Sequence, residues 1–349
     1  MEGIDLIEFI PEKVMCGKFR REIQIDSKND ELYINLSYMT KGYNNSKKEF
    51  SLTIPRFARK NEETFKVLGL LQAEMGKTDN ACISFSNHEP RLINDVLRWF
   101  EKEFELPSAK WRWSIKLNIN EPLGENYKKE VEEKVTNYWL SKTKINPLKK
   151  YPKKVTYIKN TKNKKLKYYD YGTLVIENKS NLFSQIIKKY VKIMSYKVPS
   201  LEKDEIREFM KGVIAGESNV EIHKPDKRYR VYISAVRKEE LDLYQRCLAK
   251  LGVFSKQYQN DKIIISRRKN NLELLKQKLM CLSPEKYNKF LNMMKLYRNF
   301  KELEDWKKSL MKPHNKIPQE KINQILELCK QNPNFPCWKI AKEVGVSTI

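Results

Sequence analysis

Two short stretches place a carboxylate directly after a pair of small residues four apart. "VLGLLQAEM" (67–75) carries Gly69, Ala73 and then Glu74; "MKGVIAGES" (210–218) carries Gly212, Gly216 and then Glu217. Both have apolar residues at helical spacing, so the small residues open a shallow groove on one helical face. Two such grooves let helices approach closer than the usual separation of about 8–10 Å. Packed side by side and parallel, they bring both carboxylates to one end of the seam, where helix C-termini already carry partial negative charge. Two acids placed there repel, and a bound cation relieves the repulsion. Magnesium fits, since it takes one or two carboxylates and completes its shell with water and phosphate oxygens. The chemistry to expect is metal-assisted displacement at phosphorus. Gly212 and Gly216 each cost about 0.5–1 kcal/mol against alanine inside a helix, so something must need them.

The whole chain narrows the partner. At 349 residues, with 40% hydrophobic and 11% aromatic side chains, it has the length and composition of a folded protein of two or three domains. Its 69 Lys and Arg against 44 Asp and Glu leave a net charge of +25, which points to a polyanion and first to nucleic acid. No apolar run approaches the roughly 18 residues of a membrane span. The start, "MEGIDLIEFIPEK", is acidic and lacks the marks of a signal peptide. Six scattered cysteines without a C-x-x-C pair and three isolated histidines indicate neither a zinc site nor a disulfide framework. The expected compartment is the reducing cytoplasm.

The elements that position the acids follow from periodicity. Residues 1–60 read as short strands, with "ELYINLSY" (31–38) and "EFSLTIPRF" (49–57) joined by the turn "KGYNNSKK". A helix (62–76), a strand (81–88) and a second helix (90–106) follow. The strand "KWRWSIKLNIN" (110–120) turns Trp111, Trp113, Ile115, Leu117 and Ile119 one way and Arg112, Ser114, Lys116, Asn118 and Asn120 the other. A helix (127–143), two strands (154–160 and 171–178) and a helix (182–194) complete this half, and 195–205 reads as a linking loop. The second half runs helix (205–216), strands (219–223 and 228–235), helix (238–252), strands (254–258 and 262–267) and two helices (270–280 and 285–300). Its order, helix–strand–strand–helix–strand–strand–helix, recurs in the first half with insertions, which indicates an internal duplication.

The two stretches resemble the paired LAGLIDADG motifs of homing endonucleases in their single-chain, two-repeat form, over roughly residues 62–297. Gly69 and Gly212 take the motif glycine, Ala73 and Gly216 the small residue that packs the helices, and Glu74 and Glu217 the catalytic, metal-holding acid. The motif's closing glycine is Met75 in the first copy, with Gly76 one step late, and Ser218 in the second. The resemblance implies an α+β fold of two pseudo-symmetric αββαββα repeats whose sheets form a saddle along double-stranded DNA. It divides the chain into a β-rich extension (1–60), a first repeat with insertions (61–195), a second repeat (196–300) and a helical tail (301–349). The outward strand faces would then offer Arg112, Lys116, Asn118, Arg228, Arg230, Tyr232 and Ser234 to base edges. The lysine-dense loop 158–169, with Lys162, Lys164 and Lys165, would hold phosphates.

The implied activity is site-specific, double-strand DNA cleavage with magnesium or manganese, by a monomer. Lys77 and Lys262 are candidate basic helpers. In the tail, Ile340, Ala341, Val344, Gly345 and Val346 are spaced like the second helix and turn of a helix-turn-helix, with Ser347 as N-cap. The chain ends at Ile349, so the motif reads as truncated. Two rivals share the scaffold: a non-cleaving DNA-binding regulator of the sporulation-regulator WhiA type, and an intron maturase that binds structured RNA. Two retained acids favour the enzyme; the tail favours the regulator.

Overall fold

The computed structural model describes residues 3–16, 19–39, 46–76, 82–119, 124–159, 171–226, 228–297, 319–331 and 343–344. Residues 1–293 form one compact unit and 294–349 a second.

The first unit opens with seven strands: β1 (Gly3–Asp5), β2 (Lys13–Cys16), β3 (Phe19–Glu22), β4 (Gln24–Lys28), β5 (Glu31–Met39), β6 (Lys47–Pro55) and β7 (Phe57–Arg59). β4, β5 and β6 form a three-stranded antiparallel sheet; β1 pairs with β7 and β2 with β3. On the sheet's inner face Leu32, Ile34, Leu36 and Ile54 are buried. Then come α1 (Glu62–Glu74), β8 (Ile83–Asn87), α2 (Pro90–Phe104), β9 (Arg112–Ile119), α3 (Glu125–Lys142), β10 (Lys150–Lys159), β11 (Thr173–Asn178) and α4 (Asn181–Lys197). The rest comprises α5 (Lys203–Glu217), β12 (Ser218–His223), β13 (Arg228–Ser234), α6 (Lys238–Lys250), β14 (Lys256–Tyr258), β15 (Lys262–Ile265), α7 (Arg268–Lys276) and α8 (Pro284–Met294). In the second unit α9 (Gln319–Gln331) is helical, as its spacing predicts. Of the helix-turn-helix positions only Val344 is described, and it is buried; the others lie outside the described residues, as does most of the 41–48 turn.

The fold is α+β, with two four-stranded sheets, but the halves differ in connectivity. The second half keeps the expected αββαββα order, with sheet order β12-β13-β15-β14, all antiparallel. In the first half the sheet order is β10-β9-β11-β8: β8 pairs with β11, and β9 runs parallel to β10. The helix–strand pairs α2–β9 and α3–β10 are therefore inserted between β8 and its partner. α4 then leads to α5 without a further strand. A parallel pair needs a long crossover, and α3 supplies it between β9 and β10. Alternation reveals which face of a strand is buried but not which strand lies beside it.

The expected loop at 195–205 is mostly helical. α4 continues to Lys197, a 3-10 turn covers Val198–Ser200 and α5 already begins at Lys203. Around α2 and α4 an aromatic core gathers Phe9, Trp99, Phe100, Phe104, Trp111, Phe183 and Tyr190, with Trp99 Nε1 donating to Thr64 Oγ1 at 3.2 Å. Burial of these rings drives the packing, and the indole finds the partner that a buried N–H requires. The N-terminal strands are pinned to the same core. Met15 N donates to Gln185 Oε1 at 2.8 Å, and Arg59 N to the buried carboxylate of Glu103 at 2.8 Å.

Candidate active site at the helix seam

α1 and α5 touch through their backbones. A Cβ added at Gly69 would lie 2.0 Å from Phe209 O; one at Gly212 would lie 2.2 Å from Lys66 O and 2.6 Å from Leu70 N. At Gly216 it would meet Ala73 Cβ at 2.6 Å and Glu74 Cγ at 3.0 Å. Only glycine fits where backbone meets backbone. The contacts advance together along both helices, so the pair runs parallel. Gly69 faces Gly212 and Ala73 faces Gly216, the pairing that the sequence suggests.

Glu74 closes α1 and Glu217 closes α5, both half-buried and at the same end of the seam. The exits match. Met75 N–H donates to Leu71 O and Ser218 N–H to Ile214 O, and both residues are extended, with φ of −72° and −87°. No left-handed backbone is required at either exit, which explains why Met75 and Ser218 can replace a closing glycine.

A cation from elsewhere in the chain joins the acids. Lys286, in the first turn of α8, donates from Nζ to Ala215 O at 2.5 Å and Gly216 O at 2.7 Å, with Ile214 O at 3.4 Å. It caps the orphan carbonyls at the end of α5. Burial pulls its pKa below the usual lysine range, while the charges of Glu74, Glu89, Glu217 and Glu285 pull it back up. The Lys286 ammonium thus lies in the field of both motif acids. Ser283, just ahead of α8, accepts from Lys286 N at 3.3 Å and donates to Glu89, and His88 Nε2 lies 3.4 Å from the Glu285 carboxylate. A chain of contacts therefore links the β8–α2 turn to α8. Lys286 stands far along the chain from both motifs, and no local spacing marks it. Lys77 lies outside the described residues, and Lys262 stands on β15 beside Asp261, 3.5 Å away.

Among the described residues, no three His, Cys, Asp or Glu side chains are placed to hold a metal ion. Glu74 and Glu217 would be two protein ligands. That set suits magnesium or manganese, which complete their shells with water and phosphate oxygens, and not zinc, which wants three or four protein ligands.

The strand faces come out as the alternation predicts. On β9 the side chains of Arg112, Lys116 and Asn118 are exposed and those of Trp113, Ile115 and Leu117 buried. On β13 Arg228, Arg230, Tyr232 and Ser234 share the face opposite buried Val231 and Ile233, with Lys256, Tyr258 and Lys262 brought alongside by pairing. Several of these are engaged locally. Arg228 pairs with Asp226, and the Tyr232 hydroxyl donates to Glu221. Burial and then Glu221 raise the Tyr232 pKa, with Arg230 opposing. Lys162, Lys164 and Lys165 lie outside the described residues. No helix among the described residues is long and apolar enough to cross a membrane.

The family model described as "LAGLIDADG-like domain" matches residues 204–282, from the start of α5 to just before α8. The match covers this segment alone, less than half of the chain. α1 lies outside that match; what ties it to the LAGLIDADG-like segment is the glycine seam and the common exit geometry. No curated protein matches the chain in sequence. Among solved structures, the chain is similar to I-DmoI in complex with DNA and Mn, at 13% identity over 63% of this chain and 97% of that one, with a TM-score of 0.35. It is similar to the N-terminal LAGLIDADG domain of DUF199/WhiA at 13% identity over 69% and 86%, with a TM-score of 0.31. Full-length DUF199/WhiA from Thermatoga maritima gives 13% identity over 83% and 87%, with a TM-score of 0.32.

Proposed function

We propose that the protein is a site-specific, double-strand DNA endonuclease of the homing type, assisted by magnesium or manganese. The observation that carries this is the meeting of Glu74 and Glu217 at the end of a seam that demands glycine at Gly69, Gly212 and Gly216. Held there, a divalent ion would activate water and stabilise the departing oxygen. Glu74 and Glu217 supply the negative charge that retains it. Lys286 fixes the end of α5, keeps the like-charged acids together, and sets a positive charge where phosphate oxygens would arrive. Arg112, Lys116 and Asn118 on one sheet and Arg228, Arg230 and Tyr232 on the other present side chains that read base edges in a major groove. Lys162, Lys164 and Lys165 would hold phosphates.

One observation favours a second reading, DNA binding without cleavage. Lys286 already sets a positive charge in the field of both acids, which offsets part of their repulsion without a metal. A nicking assay on random-sequence supercoiled plasmids decides between the two. The enzyme converts a sequence-defined subset to linear form with Mg²⁺ or Mn²⁺ and none with EDTA. A protein that binds these plasmids and never cuts them is the regulator.

A further inference from the structure

The N-terminal strands carry a row of side chains that the seam does not use. Phe19 and Arg21 share one face of β3, and Tyr38 and Phe50 share the inner face of the β5–β6 pair at the end where its buried core runs out. The Tyr38 and Phe50 rings stack with centroids 6.1 Å apart and planes 16° from parallel. The Arg21 guanidinium lies 5.3 Å from the centre of the Phe19 ring and 5.4 Å from that of Tyr38. Phe19 is 56% exposed and Phe50 49%. Arg21 Nε, although shielded from water, has no hydrogen-bond partner among the described residues. Lys48 stands directly across the strand pair from Tyr38.

An apolar protein partner or a lipid tail would cover the rings but bury the guanidinium and Lys48 beside them, which is costly. A duplex offers phosphates, but its bases are already stacked on one another. Unpaired nucleotides satisfy both demands, because every base has a face to lay on an aromatic ring and carries a phosphate for a nearby cation. We propose that Phe19, Arg21, Tyr38, Phe50 and Lys48 form a platform for single-stranded DNA, with bases on the two exposed phenyl rings and phosphates on Arg21 and Lys48. The choice of DNA over RNA rests on the proposed function; the stacking does not.

The test measures fluorescence anisotropy of the full chain with a short labelled oligo-dT, an oligo-rU of the same length, an abasic strand of equal charge, and a duplex. Phe19→Ala and Phe50→Ala should each weaken oligo-dT binding by about fivefold or more. Arg21→Ala should do the same and flatten the salt dependence. Phe50→Leu keeps the strand packing without the ring, and should match Phe50→Ala. Wild-type affinity for oligo-dT in all these variants overturns the platform. So does an abasic strand that binds as tightly as oligo-dT, or oligo-rU that binds more tightly. If wild type ignores duplex DNA while the ring variants still lose oligo-dT, the platform stands and the endonuclease reading falls.

Discussion

Gly69 lies inside α1 and Gly76 just beyond its end, and the structure makes opposite demands on them. A Cβ at Gly69 would run into the Phe209 carbonyl, whereas at Gly76 the nearest atom is Ser84 Cβ at 3.7 Å. Gly69→Ala should therefore destabilise the protein by about 1–3 kcal/mol or more, since overpacking here must push the helix backbones apart. Gly76→Ala should be neutral or slightly stabilising. Denaturant melts check both, and equal stability of the two variants would refute the seam. Gly216 offers a finer test. Gly216→Ala should destabilise, and adding Ala73→Gly should recover some of the loss, because the two side chains collide. Lys286→Met should also destabilise, since it orphans buried carbonyls and removes a positive charge from the field of both acids. The small residues and the acids were legible because they recur in two copies. Lys286 was not, since it belongs to a helix far along the chain and only the fold returns it to the end of α5.

Between β9 and β13 the proposed contacts separate into those that read and those that hold. Replacing Arg230 with alanine should relax preference at particular base pairs by about 1–3 kcal/mol. Replacing Lys162, Lys164 and Lys165 together should weaken all sequences about equally and reduce the slope of log K against log salt by roughly 0.9 per lost contact. Selection on randomised sites and a salt titration distinguish the two, and identical behaviour would void the assignment. α6 carries a probe of the core in Cys247, whose thiol burial pushes up to about 12. It should resist alkylation at mildly alkaline pH until the protein unfolds. Because the folded state holds that proton more tightly, this group's contribution to stability falls as pH rises from its ordinary range near 9 towards about 12. Strand faces and helices were readable from period-2 and helical spacing. The pairing of β8 with β11 was not, since their contacts cross α2, β9, α3 and β10 and leave no local signature.

At the scale of the molecule, charge and duplication set the expectations, and the seam gives them a centre. Both seam helices belong to one chain, so no second copy is needed to complete it. Sedimentation should report a monomer, and a stable dimer that Gly212→Leu dissociates would place the seam between chains instead. The first half reaches a four-stranded sheet by a different route from the second, so the likeness of the halves is clearer in the helix pair than in the order of elements. That concentrates the functional claim on Glu74 and Glu217. Its most direct test is cleavage and binding by Glu74→Gln and Glu217→Gln on one selected target with Mg²⁺. Each variant should bind DNA within about threefold of wild type or slightly tighter, because a negative charge has left the neighbourhood of the phosphates. Each should lose cleavage by at least about a hundredfold, as the loss of several kcal/mol of transition-state stabilisation requires. Cleavage that survives at the wild-type rate in both variants would contradict the account.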